Sequence, residues 1–242
     1  MSYSYDEDEF INTANEIYEF LTDKKTISNK PTAILTGGQP GSGKTTLQKI
    51  ALENDSNIIV INGDEFRKYH PRYKDIIKKE PDYIPITQKF SNRMVEYLIT
   101  KLSDEKYNLL IEGTLRTTSV PLKTKAQLKK KGYRVELHVM AVPKDLSWQG
   151  TINRYNSMLE IGVDARKTSK ESHDFVVEHI AENLNYLYLN GNFDNIKLFN
   201  RERECLYDSE KDNISPETLL NKILNYRTEL EPELLRNKRL RR

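Results

Sequence analysis

Residues Gly37-Gly38-Gln39-Pro40-Gly41-Ser42-Gly43-Lys44-Thr45-Thr46 constrain this chain more than any other stretch. From Gly38 to Thr45 they fit the pattern G-x-x-x-x-G-K-[ST]. Glycines let a backbone turn its N–H groups inward around an anion, and the start of a following helix adds its positive dipole end. The run before the loop, Pro31-Thr32-Ala33-Ile34-Leu35-Thr36, is short, apolar and β-branched, as suits a buried parallel strand. Thr45 to Asn54 can follow as a helix with Leu47, Ile50 and Ala51 turned inward. Strand, glycine-rich loop and helix in that order predict a nucleoside-triphosphate site lined by Gly38, Gln39, Pro40, Gly41, Ser42, Gly43, Lys44, Thr45 and Thr46. Lys44 is then placed to reach the β- and γ-phosphates and Thr45 to ligate Mg²⁺, with Thr46 a weaker substitute. ATP with Mg²⁺ is the expected pair, and GTP stays open as the donor.

At 242 residues the chain can bury a sizeable core. The expectation is an α/β phosphate-loop fold, a three-layer sandwich with a mostly parallel central sheet flanked by helices. It forms a single kinase-like domain over 1–242, with an N-terminal helix over 8–21, a core over 31–200 and a C-terminal helical tail over 216–242. A net charge of +2 gives no bulk electrostatic case for nucleic acid, and none is expected as a partner. The lone Cys205 excludes an internal disulfide and a cysteine-based zinc site. The first residues are acidic and polar, unlike a signal peptide, and no apolar run is long enough to cross a bilayer; a cytoplasmic location without a membrane partner is expected.

Further along, Asn57 to Asn62 reads as a second strand ending at Gly63-Asp64-Glu65-Phe66-Arg67. Ligands of open α/β sheets sit beyond the carboxyl ends of strands, so Asp64 lies near a terminal phosphate if strand two neighbours strand one. A carboxylate there can take the proton of an attacking hydroxyl; the alternative is a helix N-cap. His70 to Pro85, rich in Pro, Tyr and Lys, reads as a surface excursion, and His70 as structural or exposed. Glu96 falls off the apolar face of a helix over 87–102 and reads as solvated. The third strand, Asn108 to Ile111, runs into Glu112-Gly113-Thr114-Leu115-Arg116-Thr117-Thr118, which is either a polar binding cluster or an ordinary loop whose Thr caps the next helix. His138 sits packed in a fourth strand over 133–142. Arg154 and Arg166 flank a short polar segment and read either as a phosphate-clamping lid or as surface arginines. A fifth strand spans 195–200, residues 201–215 form a loop or short hairpin, and a helix follows from Pro216. The basic end, Arg236 to Arg242, reads as a solvated helix end, with a nucleic-acid contact as the weaker alternative.

The segments GGQPGSGKTT, NGDEFRKYHP, SNRMVE, NLLIEGTLRTT and GTINRY…DAR together resemble the zeta toxin family, over roughly Phe10 to Leu224. These are toxins of bacterial toxin–antitoxin pairs whose phosphate-loop fold phosphorylates UDP-N-acetylglucosamine on the amino sugar. The resemblance implies that Lys44 and Thr45 hold ATP and Mg²⁺ and that Asp64 deprotonates the sugar 3′-hydroxyl. It implies that Glu96, Glu112, Thr114 and Arg116 surround the UDP-sugar, which revises the solvated reading of Glu96. It implies that Arg154 and Arg166 contact the phosphates, and that a helical antitoxin covers the nucleotide site. The lid departs from the family pattern in its shorter spacing and in lacking a proline. The residues taken without that resemblance leave two alternatives: a similar kinase acting on another small-molecule hydroxyl, of a nucleotide sugar, nucleoside or antibiotic, or a nucleotide-binding switch.

Overall fold

Short apolar runs become strands and amphipathic runs become helices, close to where the patterning predicts them. In a computed structural model that describes residues 3–162, 165 and 167–226, the order begins with α1 (Glu7–Thr22), β1 (Thr32–Gly37), α2 (Thr45–Asn54), β2 (Ile59–Ile61) and α3 (Gly63–Phe66). A 3₁₀ turn (Arg67–Tyr69) leads to α4 (Tyr73–Lys79), α5 (Ile84–Asp104), β3 (Leu109–Ile111), α6 (Ser119–Lys130) and β4 (Arg134–Met140). The chain continues through α7 (Lys144–Glu160), α8 (Lys170–Asn190), β5 (Asn195–Phe199), β6 (Cys205–Asp208) and α9 (Pro216–Leu224). Arg166 and the basic segment Arg236 to Arg242 lie outside the described residues. None of the described helices is long and apolar enough to cross a membrane.

The strands form one six-stranded sheet in the order β2-β3-β1-β4-β5-β6. β3 runs parallel to both neighbours, with Leu109 opposite Ala33 on one side and Ile59 on the other. Strand two therefore does not neighbour strand one. The reason lies in burial: every residue of β3 is buried, as a central strand requires, whereas Val60 of β2 is only partly buried, which suits an edge. The polar stretch after β5 resolves as a hairpin, β6 pairing antiparallel with β5 and burying Tyr207 and Asp208. α6 begins at Ser119, directly after Thr118. Pro121 in its first turn costs nothing there, because the first N–H groups of a helix have no helical partner.

The chain divides into two compact units. The first takes the described residues of Met1–Leu35, Gln48–Glu112 and Thr124–Glu136. In it, α1 opens with a capping box: the Asp6 carboxylate accepts from Glu9 N at 2.8 Å and Glu9 accepts from Asp6 N at 3.1 Å. Phe10 packs edge-to-face on Phe90 at 5.7 Å, and the His70 ring meets Phe90 at 5.2 Å. Each such aromatic pair adds about 1 kcal/mol beyond its buried area. The segment from His70 to Pro85 is thus more than a surface excursion, since His70 and Ile76 are buried and residues 73–79 form α4.

The second unit takes the described residues of Thr36–Leu47, Gly113–Lys123 and Leu137–Arg242. Its core is built from β4 and β5 and the inward faces of α8 and α9, with Val139, Leu184, Leu198 and Leu220 fully buried. His138 is packed as expected, its ring 5.3 Å from that of Phe199.

Candidate active site

The second unit carries the glycine-rich loop. Gly38, Gly41 and Gly43 have φ of +148°, +73° and +90°, a region that side chains disfavour. Within the loop and the start of α2, Ser42 N–H bonds Gln39 O, Thr46 N–H bonds Gly43 O and Leu47 N–H bonds Lys44 O. The N–H groups of Gly41, Gly43 and Thr45 donate to no acceptor among the described residues. Lys44 Nζ donates to Gly38 O at 3.1 Å, so the ammonium folds along the same loop. Gln39 is anchored by its side-chain amide to Val142 O at 2.8 Å, and the buried Ser42 hydroxyl makes no hydrogen bond among the described residues. Backbone N–H donors, one ammonium and a hydroxyl at the start of a helix form a donor set that fits a polyphosphate. Thr45, exposed at the head of α2, is the hydroxyl that fits a cation bound to such a group.

The crown of the loop packs on α7. A Cβ at Gly41 would lie 2.1 Å from Ser147 O, and one at Gly150 would lie 2.4 Å from Gly41 O. Arg201, on the turn after β5, donates from Nη2 to Gly41 O at 2.6 Å and to Leu146 O at 3.0 Å, and from Nε to Ser42 O at 3.3 Å. Sequence reasoning missed Arg201: it stands in a polar stretch with Glu202, Arg203 and Glu204, and nothing local sets it apart.

Asp64 belongs to the first unit, just past the carboxyl end of β2. Its alternative role as a helix cap is filled by Asn62, whose side chain accepts from Asp64 N at 3.0 Å. The Asp64 side chain instead accepts from Arg67, which is nearly buried while Asp64 is half exposed. Arg67 is fixed in turn by donating to Ile84 O at 3.1 Å and to Gln88 Oε1 at 2.5 Å. In the same unit the Glu112 carboxylate accepts from Gln48 Nε2 at 2.9 Å. Glu96 is exposed on α5, beside a shallow groove of about 330 Å³ shared with Glu7, Phe10, Arg93 and Tyr97.

In the second unit, the turn after Glu112 is held by Leu115. That residue adopts φ of +55°, costly for a branched side chain, and is buried against Gly37, where a Cβ would meet it at 2.4 Å. Asn183 donates to Leu115 O at 2.9 Å and to Arg116 O at 3.2 Å, which secures the strained turn. With Leu115 turned in, Thr114 and Arg116 are exposed, and the Arg116 guanidinium lies 4.8 Å over the Phe175 ring. Arg154 is exposed on α7 and donates to Thr168 Oγ1 at 3.0 Å. Its expected companion Arg166 lies outside the described residues.

A buried parallel strand feeding this loop and helix defines a phosphate-loop protein of the kinase-like α/β class. A family model for zeta toxin matches residues 18–212. The chain is 44% identical over 240 residues to toxin zeta of Streptococcus pyogenes, covering 96% of this chain and 84% of that one. It is 42% identical over 223 residues to toxin PezT of Streptococcus pneumoniae serotype 4, covering 91% and 88%. A solved structure, from the characterization of the PezAT chromosomal toxin–antitoxin system of Streptococcus pneumoniae, has a TM-score of 0.87 at 38% identity over 99% of this chain and 98% of that one. The chain belongs to the zeta toxin family.

Proposed function

We propose that this protein is a zeta-type toxin and an ATP-dependent kinase that phosphorylates the 3′-hydroxyl of the amino sugar of UDP-N-acetylglucosamine. The observation that carries the reading is Asp64: a half-exposed carboxylate past a strand's carboxyl end, relieved of capping duty by Asn62 and oriented by Arg67. Such a group suits an acceptor hydroxyl. It orients the hydroxyl and takes its proton as the new oxygen–phosphorus bond forms and the bond from the γ-phosphorus to departing ADP breaks, and a loose phosphoryl-transfer transition state asks little basicity of it.

ATP bound with Mg²⁺ supplies the phosphoryl group, with its charge partly neutralised by the metal. The chain's part is to hold and orient. Gly41, Gly43 and Thr45 offer N–H groups, Lys44 an ammonium and Thr45 a metal-ligating hydroxyl. Arg154 and Arg166 are assigned to the charge that builds on the transferring group. Glu112, Thr114, Arg116 and Glu96 are assigned to the UDP-sugar. Transfer is assigned as direct and in line from donor to acceptor, because the site's groups position the two substrates and stabilise charge. Phosphorylating this nucleotide sugar in the cytoplasm would withdraw a peptidoglycan precursor. The similarity to a structure from the PezAT toxin–antitoxin system supports an antitoxin as partner; our reading makes that partner helical, covering the nucleotide site and acidic where it meets Lys44 and the arginines.

The reading is tested by incubating the protein with ATP·Mg²⁺ and a panel of UDP-N-acetylglucosamine, UDP-glucose and free nucleosides, with mass spectrometry of each acceptor. A product one phosphate heavier, confined to the amino-sugar nucleotide, is expected. Modification of a different acceptor would replace the substrate, and ATP hydrolysis with no modified acceptor would point to a switch.

A further inference from the structure

We infer that Arg201 is a positioning residue for the phosphate loop. Its guanidinium fixes the peptide planes at Gly41–Ser42 and Ser42–Gly43 and fastens them to the first turn of α7. This rests on the reading of Gly38 to Thr45 as a phosphate cradle.

A trans peptide is planar, so its C=O and N–H point to opposite edges. A loop that turns N–H groups toward an anion must turn carbonyls the other way, and those carbonyls need donors. Arg201 supplies them: Nη2 reaches Gly41 O at 2.6 Å and Nε reaches Ser42 O at 3.3 Å. The bond to Ser42 O sets the opposite edge of that peptide, the Gly43 N–H, which donates to no acceptor among the described residues. The bond to Gly41 O sets the Ser42 N–H, which closes the turn onto Gln39 O at 3.1 Å. The same Nη2 reaches Leu146 O at 3.0 Å, so loop and helix share one donor. α7 also carries Arg154, so the fork holds the loop in register with the helix bearing that arginine. The side chain's stem completes the support, passing 3.7 Å from where a Cβ would stand on Gly43. A planar fork with five N–H donors can serve three carbonyls at once, whereas a lysine ammonium acts as a point donor.

Two readouts separate this role from general stability. In the ligand-free protein, Arg201→Met keeps the stem and removes every donor; amide hydrogen exchange at Ser42, Thr46 and Leu47 is expected to rise, with β4 and α8 unchanged. Arg201→Lys serves as the conservative variant and is expected to recover part of the protection. In the second readout, ATP·Mg²⁺ titrated calorimetrically should bind Arg201→Met about 10- to 100-fold more weakly, the worth of a charge-assisted hydrogen bond that holds the loop. Arg201→Lys should fall between, and KM for the acceptor should stay within about twofold. Loop exchange and ATP affinity equal to wild type in Arg201→Met would overturn the inference. Exchange that rises equally throughout the chain would also overturn it, as a stability effect. Faster loop exchange in a protein whose wild type binds no ATP would sustain the loop's dependence on Arg201 and instead remove the nucleotide reading.

Discussion

Arg67 and Asp64 meet through a single oxygen: Arg67 Nε at 3.2 Å and Nη2 at 3.1 Å both donate to Asp64 Oδ1. The fork fixes the plane of the carboxylate, and its own position is fixed by Ile84 O and Gln88. A lysine would keep the charge and lose the fork. Arg67→Lys is expected to lower kcat for sugar phosphorylation about 10- to 100-fold, the worth of one charge-assisted hydrogen bond, while ATP affinity holds. Arg67→Ala should in addition cost about 2 kcal/mol of stability, less than a fully buried pair because Asp64 is half exposed. Steady-state kinetics with calorimetric ATP binding check the first expectation and urea unfolding the second. Equal loss of ATP binding in Arg67→Lys would mean that the residue serves the donor.

Gly150 lies in the interior of α7, where helix propensity alone would favour Ala by about 1 kcal/mol. Sterics oppose this, because a Cβ there would meet Gly41 O at 2.4 Å and Arg201 Nη2 at 2.9 Å. Overpacking against backbone costs about 1–3 kcal/mol, so sterics win. Gly150→Ala is expected to lower the thermal midpoint by a few degrees and to weaken ATP binding at least tenfold. An unchanged or raised midpoint would show that the loop and α7 separate without cost.

How much of this was legible in the chain depended on distance along it. The phosphate loop and its flanking strand and helix are contiguous, so one pattern exposes them. Asp64 was readable with two roles; choosing between them needed the side-chain direction of Asn62, two residues away. Arg201 acts on Ser42 from 159 residues away, and its neighbours give it no local signature. Strand order was equally out of reach, since β3 enters between β1 and β2 by long-range pairing that residue types bias but do not dictate. His70 and Ile76 were hidden by a composition rich in Pro, Tyr and Lys. Such side chains can cover a core while keeping their polar ends in water.

His70 gives a pH test of the fold. Burial lowers its pKa from the ordinary 6.5, Arg72 lowers it further, and Glu9 opposes both. The unfolded chain therefore binds a proton that the folded chain refuses. This contribution is complete above pH 6.5 and is lost as pH falls from 6.5 toward the depressed folded value. Thermal midpoints of the wild type should decline across that window, and those of His70→Asn should decline less, although the variant starts lower for losing packing on Phe90. Parallel slopes for the two proteins would contradict this assignment.

The central claim is that Asp64 activates the acceptor and plays no part in holding the donor. The measurement that tests it most directly is initial-rate transfer from ATP·Mg²⁺ to UDP-N-acetylglucosamine by wild type and Asp64→Asn, with ATP affinity taken on the same samples. Asp64→Asn is expected to bind ATP within about threefold of wild type and to transfer at least about 10³-fold more slowly, in the range typical of losing a general base. Transfer by Asp64→Asn at the wild-type rate would contradict it.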